Sequence, residues 1–550
     1  MVYTEIKEKG KKKYYYRVKS VREGSKVGKQ RIYLGANLTK QEVLEKEEEA
    51  DKTLLDIQEP KQEKQTKQEP IKQKQEKDEK GITVEKDEFS DWFTQLMIKA
   101  DLADYTKVSG CMVFKPTAWK MWEKIVSLVN ERLEKLEIKN IYFPLFIPEK
   151  LLKKEQEHVK GFSPEVAWVT AAGNSELVER LAIRPTSEAI MYDSFSKWIR
   201  SWRDLPLKLN QWSNVVRWEF RHPIPFFRTR EFIFNEGHTV YATQKETEKE
   251  KDQIIGMYKD VCENYLALPG LIGKKTEKEK FAGAEYTISI EYYLPNGKAI
   301  QGPDFHHDGQ NFAKAYNIEF LDEKGKKQHP WQNTWAISTR MLGVMFAIHS
   351  DSKGLIIPPK ISPNQVVIVP ILFEKAKEEI IKKAKELKGT LKEFNPILDD
   401  REEYKPGFKF NEWELKGIPI RIEIGPKDIK AKQIVLVRRD TNKKEAVEIK
   451  DLSKKIPKVL RDIQNNLFKK AQKTMQKNTI QAKNLNELIE GIKNKKLVKA
   501  EWCGDQECEE MIKYKTKGAK IIGITEEKPK TKCIHCNKKS TAAVYIAKSY

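Results

Sequence analysis

Gln211-Trp-Ser-Asn-Val-Val-Arg-Trp-Glu219 runs through a basic loop into Arg228-Thr-Arg-Glu-Phe232. The first half reads as an apolar strand ending in Arg217 and Glu219, which fall on one face because strand side chains alternate. The second half opens a returning strand behind a hairpin tip that carries Arg228 and Arg230. Guanidinium groups at such a sheet edge suit a nucleotide triphosphate lying in the open, with no glycine-rich loop beneath it. The plainer alternative is a same-face ion pair between Arg217 and Glu219.

Three other stretches carry polar groups that could share a site with it. In Arg184-Pro-Thr-Ser-Glu188, a hydroxyl and a carboxylate two residues apart can both accept hydrogen bonds from one small ammonium ligand. The same string also reads as a helix N-terminus, with Thr186 or Ser187 capping and Glu188 in the first turn. Trp335-Ala-Ile-Ser-Thr-Arg-Met-Leu-Gly343 places Ser338 and Arg340 at the opening of an apolar helix. Between these lies Ala299-Ile-Gln-Gly-Pro-Asp-Phe-His-His-Asp-Gly-Gln-Asn-Phe312, with Gln301, Asp304 and His306 as polar candidates. His306 and His307 are adjacent, so on a strand they face opposite ways, which argues against a shared metal.

These strings, in this order, resemble motifs 2 and 3 and the amino-acid pocket of the class II aminoacyl-tRNA synthetases. Their surroundings are similar to the prolyl-tRNA synthetases of the archaeal and eukaryotic type. The resemblance implies an α+β catalytic core, a class II antiparallel sheet with helices, and a ligase that charges tRNA(Pro) with proline. It implies Arg217 and Arg340 as the catalytic arginines, Arg217 on the α-phosphate and Arg340 on the γ-phosphate. ATP would further meet Glu219, Arg228, Thr229, Phe232, Gln301, Asp304 and Ser338. Proline would meet Thr186, Glu188, Arg217, Phe232, Phe234 and His306, with Mg2+ accompanying the ATP. Pro303, Asp304 and Phe305 depart from the family's small residue, threonine and serine, and Phe234 stands in place of a tryptophan. An aspartate among phosphates needs magnesium or an arginine to offset it. Phe281 keeps its aromatic, and a flat pocket bounded by Phe232, Phe234 and Phe281 suits a ring without a polar side chain.

Working outward, Thr117 begins a run with Trp119, Trp122, Ile125, Val126, Val129, Leu133 and Leu136 at helical spacing. It leads into Asn140-Ile-Tyr-Phe-Pro144, a short strand ending in proline. Helix, strand and proline resemble motif 1, which implies a homodimer. Tyr241 to Gln301 reads as one amphipathic helix around Ile254, Met257, Val261 and Tyr265, too little for the editing domain of the bacterial-type enzymes. Residues 363–468 alternate strand and helix as an α/β unit, and Lys405-Pro-Gly-Phe-Lys-Phe-Asn-Glu-Trp-Glu-Leu-Lys-Gly417 resembles the family's anticodon-binding domain.

The chain is 550 residues long and carries 103 Lys and Arg against 81 Asp and Glu, a net +22. Such a surplus favours a polyanionic partner, although a solvated Lys/Glu surface gives the same balance. No apolar run approaches the ~20 residues that span a bilayer, and the N-terminus lacks the apolar core of a secretory signal. The expected location is cytoplasmic. Residues 1–57 read as a separate small unit, with strands at Tyr14–Val21 and Arg31–Leu34 joined through Gly24 and Gly28. Thr39 and Glu42 make a capping box for a following helix. Its aromatics and basic residues could stack on RNA or form one face of a packed hairpin. Residues 58–82 are Gln, Lys and Glu with almost no apolar side chain, and read as a disordered linker. The catalytic region is expected at 83–362.

Of six cysteines, four fall at the C-terminus: Cys503 and Cys508, then Cys533 and Cys536. Two paired knuckles suit one structural metal ion held on four sides, with His535 as a substitute ligand and four free thiols as the alternative. The arrangement resembles the zinc-binding C-terminal domain of the archaeal-type enzymes and places a small α+β Zn2+ unit at 469–550. Tyr550 matches that type's terminal tyrosine, which can reach back towards the active site. Two rivals remain open on sequence: a ligase for another small amino acid such as threonine or glycine, and a non-catalytic RNA-binding paralogue.

Overall fold

Leu207–Val216 pairs antiparallel with Glu231–Tyr241, setting Val215 opposite Phe232 and Gln211 opposite Glu236. Glu231–Tyr241 pairs on its other side with Trp331–Ala336, and that strand with Lys298–Gly309. Tyr286–Tyr293 and Leu271–Lys274 extend the antiparallel run. At position 237 the strands approach closely: a Cβ there would lie 2.1 Å from the Trp335 ring, so only glycine lets the indole cross the sheet.

This computed structural model describes residues 2–9, 12–23, 26–39, 42–43, 46–47, 50, 81–158, 165–219 and 223–550. Contacts divide the chain into two units, Met1–Asp78 and Glu79–Tyr550. Within the larger unit, helices Pro116–Lys135, Gln244–Asn264 and Arg340–His349 bury their apolar stripes in one core. Trp122, Ile125 and Val129 meet Ile254, Val261, Leu342 and Phe346 there. The first of these helices starts at Pro116, where a proline at N1 forfeits no hydrogen bond. Trp119 lies on its exposed side. The strand read at Asn140–Pro144 shrinks to Lys139–Asn140, which pairs parallel with Leu209–Asn210. Beyond it, Arg184 donates to the carbonyl oxygens of Phe143 and Asn214, both at 2.8 Å, and so ties the segment to the sheet.

Ile397–Leu398, Val366–Pro370 and Ile420–Ile424 run parallel; Gln433–Arg438 pairs antiparallel with Ile420–Ile424, and Lys444–Glu448 antiparallel with Gln433–Arg438, completing a five-stranded sheet. Helix Pro406–Lys416 ends at Gly417 with a left-handed φ of 73°. The long helix Leu452–Asn478 crosses the expected boundary at residue 469. After it, Thr479–Gln481, Leu497–Trp502, Lys520–Ile524 and Ala542–Ser549 join the catalytic sheet and make it eleven-stranded. The joints are Lys274 opposite Ile524, and Lys298 and Ala299 parallel to Lys548 and Ser549. The C-terminal region thus has its own apolar core around Trp502, Ile512 and Ile546, yet shares backbone hydrogen bonds with the catalytic strands.

Among its described residues the N-terminal unit holds three strands, Val2–Lys9, Lys12–Glu23 and Lys26–Ala36, where the sequence reads as two. Gly28 sits inside the third strand opposite Val21, not in the connection. Tyr16 and Tyr33 pack with ring centres 5.2 Å apart, and Thr39 and Glu42 make the reciprocal capping bonds. Gly24 and residues 51–80, which include most of the expected linker, lie outside the described residues. Among the described residues no helix is long and apolar enough to cross a membrane.

Candidate active site

A cavity of about 270 Å³ opens on the sheet where the strands ending at Val216 and Gly309 and the helix beginning at Arg340 converge. Alternation along Glu231–Tyr241 sends Phe232, Phe234, Glu236 and His238 into it. Arg217 enters from the neighbouring strand end, its Nε donating to the Pro185 carbonyl at 3.0 Å and its guanidinium 5.3 Å from the Phe232 ring centre. Arg340 enters from its helix N-terminus, donating to the carbonyls of Phe227 (3.2 Å) and Gln301 (3.1 Å). Burial and the nearby charge of Arg217 push its pKa down to about 10, which still leaves it cationic at neutral pH.

Thr186 and Glu188 line the cavity beside Arg217, at the start of helix Glu188–Trp198, so the ligand-facing and helix-start readings hold together. Ser187 is the N-cap residue but its side chain makes no capping bond. The Thr186 hydroxyl lies within reach of Glu188 and, at 2.8 Å, of Glu236. Burial, then the charge of Glu236, push Glu188 up to about 7. Glu236 was not anticipated, because a glutamate on a strand reads as a solvent-facing residue. Its period-two spacing from Phe232 and Phe234 was the available signal.

His306 also faces the cavity, its ring stacked on Phe281 at 4.6 Å and its Nδ1 2.9 Å from Thr287 Oγ1. His307 points the other way, with Nδ1 2.9 Å from Asn333 Oδ1, so the two histidines share no ligand position. Asp304 accepts from Gln301 Nε2 at 2.7 Å and lies 3.6 Å from His306 Nε2, while its Oδ1 is buried without a partner among the described residues. Thr229 and Ser338 complete the wall.

Two expected contacts stand apart. Glu219 is exposed on a turn and does not line the cavity. Arg228 is exposed as well, but its charge is felt at Arg340, Lys298 and Tyr550, which places it near the mouth. Arg230 turns away, packing 4.4 Å over the Trp218 ring and donating to Ser109. Tyr550 does reach back: its backbone N–H donates to Ala299, and its ring lies 5.3 Å from that of Phe227.

Outside the cavity lining, the sulfurs of Cys503, Cys508, Cys533 and Cys536 all lie within 4.8 Å of one another. The Cys503 and Cys536 sulfurs are 3.7 Å apart, against roughly 3.8 Å for two thiolates on a tetrahedral zinc with Zn–S bonds of about 2.3 Å. His535 lies outside this group.

The class II tRNA synthetase core domain family (G, H, P, S and T) matches residues 168–349, and the anticodon binding domain family matches 365–459. The prolyl-tRNA synthetase C-terminal family matches 485–550. A proline--tRNA ligase of Natranaerobius thermophilus is 45% identical over 475 residues, covering 86% of this chain and 98% of that protein. One from Alkaliphilus oremlandii is 47% identical over 473 residues, 85% of this chain and 98% of its own.

The chain belongs to the prolyl-tRNA synthetases.

The crystal structure of the prolyl-tRNA synthetase from Cryptosporidium parvum with halofuginone and AMPPNP superposes at a TM-score of 0.83. It is 42% identical and covers 86% of this chain and all of that one. The same synthetase complexed with L-proline and AMP gives 0.82. The prolyl-tRNA synthetase family therefore accounts for the catalytic sheet, the five-stranded unit and the C-terminal cysteine unit together.

Proposed function

We propose a residue-level account of proline activation at the 270 Å³ cavity. The reaction is that of a proline–tRNA ligase: ATP and proline give prolyl-adenylate, and the prolyl group passes to the 3′ end of tRNA(Pro). The observation that carries the account is that Arg217, Arg340, Thr186 and Glu188 line one cavity.

Thr186 and Glu188 accept the two N–H bonds of the proline imino group, and Arg217 takes its carboxylate. Phe234, with Phe281 and His306, closes around the ring. Arg217 also meets the α-phosphate, where negative charge develops as the carboxylate attacks, and Arg340 clamps the γ-phosphate. Phe232 stacks on adenine, and Thr229, Gln301 and Ser338 contact the nucleotide. Positioning and charge stabilisation do most of this chemistry. Arg228 at the mouth and Glu219 on its exposed turn are assigned to the nucleotide as well.

Asp304, with one buried carboxylate oxygen lacking a partner, fits a hard-cation ligand, so Mg2+ would be held there. When bound, magnesium supplies neutralising charge to the phosphates. The four cysteines fit a structural zinc. Trp119, Trp122, Tyr142 and Trp212 line a partly exposed apolar face that supports a homodimer. Between Tyr241 and Lys298 the chain makes a helix and two strands of the central sheet, so clearing mischarged tRNA falls to a separate protein. The cell compartment assigned is the cytoplasm, where tRNA charging occurs.

ATP–pyrophosphate exchange across proline, threonine, glycine and alanine tests the substrate. Proline must support exchange at least ~100-fold better than the others. Exchange with threonine or glycine instead contradicts the assignment, and tRNA binding without exchange favours a non-catalytic paralogue.

A further inference from the structure

Glu236 is 4% exposed and sits on the cavity face of its strand, opposite Gln211. One carboxylate oxygen accepts from the Thr186 hydroxyl and from the Ser187 backbone N–H, both at 2.8 Å. The other accepts from the Ser187 hydroxyl, with Gln211 Nε2 and Ser213 Oγ each at 3.5 Å. Glu236 thus accepts from both Thr186 and Ser187, and of these two only Thr186 also lines the cavity.

A threonine hydroxyl owns one proton and two lone pairs. Thr186 has two carboxylates within reach, Glu236 on the neighbouring strand and Glu188 at the head of the following helix, and both line the cavity. A proton given to Glu236 leaves only lone pairs facing inward, and leaves Glu188 wholly available as an acceptor. The Ser187 N–H and hydroxyl fix the Glu236 carboxylate so that it cannot turn away.

We propose that Glu236 is a positioning residue for amino-acid selection: it takes the Thr186 hydroxyl proton, so that Thr186 offers a ligand only lone pairs. The wall then presents acceptors alone, fits a five-membered ring whose nitrogen carries two N–H bonds, and rejects a ring with an acceptor at that place. The inference rests on the assignment of Thr186 and Glu188 to the imino group. It adds a reason why the pocket rejects isosteric rings, which shape alone does poorly.

The probe is tetrahydrofuran-2-carboxylate, in which oxygen replaces the imino group. Dissociation constants for it and for proline are measured on the full chain with ATP analogue present. Glu236→Ala, which removes the acceptor, is expected to weaken proline by roughly 10- to 100-fold, to leave the oxygen ring unchanged or tighter, and to leave the KM for ATP unchanged. Glu236→Gln keeps an oxygen opposite the Ser187 N–H that still accepts from Thr186, and is expected to keep most of the discrimination; a loss as large as that of Glu236→Ala means charge alone and overturns the proposal. Equal weakening of both rings by Glu236→Ala means a merely structural role and also overturns it. In Thr186→Val, Glu236→Ala is expected to leave the ratio unaltered, and a second drop overturns the proposal. Should Glu236→Ala prevent folding, Thr186→Val alone must lose the same discrimination; retained discrimination overturns it. If Thr186→Val leaves proline affinity intact, the assignment of Thr186 to the imino group fails too. If Thr186→Val matters and Glu236→Ala leaves the ratio alone, only the role of Glu236 fails.

Discussion

Arg217 and Arg340 line the same cavity from different elements, and the charge of one lowers the pKa of the other. Like charges converge at a cost in a folded chain unless an anion is meant to lie between them. The backbone carbonyls of Pro185, Phe227 and Gln301 hold both guanidinium groups in place before any ligand arrives, which is the preorganisation that charge stabilisation in a transition state requires.

Proline activation should depend on the ionisation of Glu188. Its carboxyl is pushed up to about 7 by burial and by Glu236, and Asp308, buried nearby, feels Glu188's charge in turn. Below that pH Glu188 is neutral and loses its attraction for the imino cation. The kcat/KM for proline in pyrophosphate exchange should therefore rise with pH through about 7 and level off above it, and Glu188→Gln should remove the inflection. Because the folded pKa exceeds the unfolded one, this group's contribution to stability falls as pH rises across the window from 4.5 to about 7. Acid should thus reduce activity without any loss of thermal stability from this group.

The cysteine cluster should hold one zinc per chain by elemental analysis. Cys533→Ser should abolish it and lower Tm by more than about 5 °C. Because Lys298 and Ala299 pair with Lys548 and Ser549 close to Gln301, exchange activity should fall with the metal. Full metal-free stability and activity would speak against a structural role.

Arg439 makes a two-pronged ion pair with Asp351, 2.6 and 2.9 Å, linking the five-stranded sheet to the segment after helix Arg340–His349. Arg439 is buried, whereas Asp351 is partly open to solvent. Asp351→Ala leaves the buried guanidinium unpaired and should cost about 2 kcal/mol in urea unfolding, once partial exposure is discounted. It should raise the KM for tRNA while leaving pyrophosphate exchange within about twofold.

Tyr142 and Trp119 are 71% and 39% exposed on one apolar face. Trp119→Glu should convert a dimer to a monomer by light scattering; an unchanged mass would place the interface elsewhere.

Features set by local strings were legible in the sequence, and features set by long-range pairing were not. Arg217, Arg340, Thr186 and Glu188 sit in short strings whose chemistry is local, and each reaches the cavity. Glu236 is marked in sequence only by its period-two spacing from Phe232 and Phe234, because its partners, Thr186 and Ser187, are remote along the chain. The strand at Val2–Lys9 is so rich in charge that its alternation is weak. The joining of Ala542–Ser549 to Lys298–Gly309 is a long-range pairing, fixed by tertiary packing, that no local propensity reports. Arg230 looked equivalent to Arg228, but Gly110 lets its side chain pack against the backbone on the far side, where a Cβ would come within 2.8 Å.

The most direct measurement is proline-dependent ATP–pyrophosphate exchange by the native chain, Arg217→Ala and Arg340→Ala, each confirmed folded by its melting curve. The two-guanidinium account predicts a loss in kcat of roughly 10²- to 10³-fold for each variant. Either variant exchanging at the native rate would contradict it.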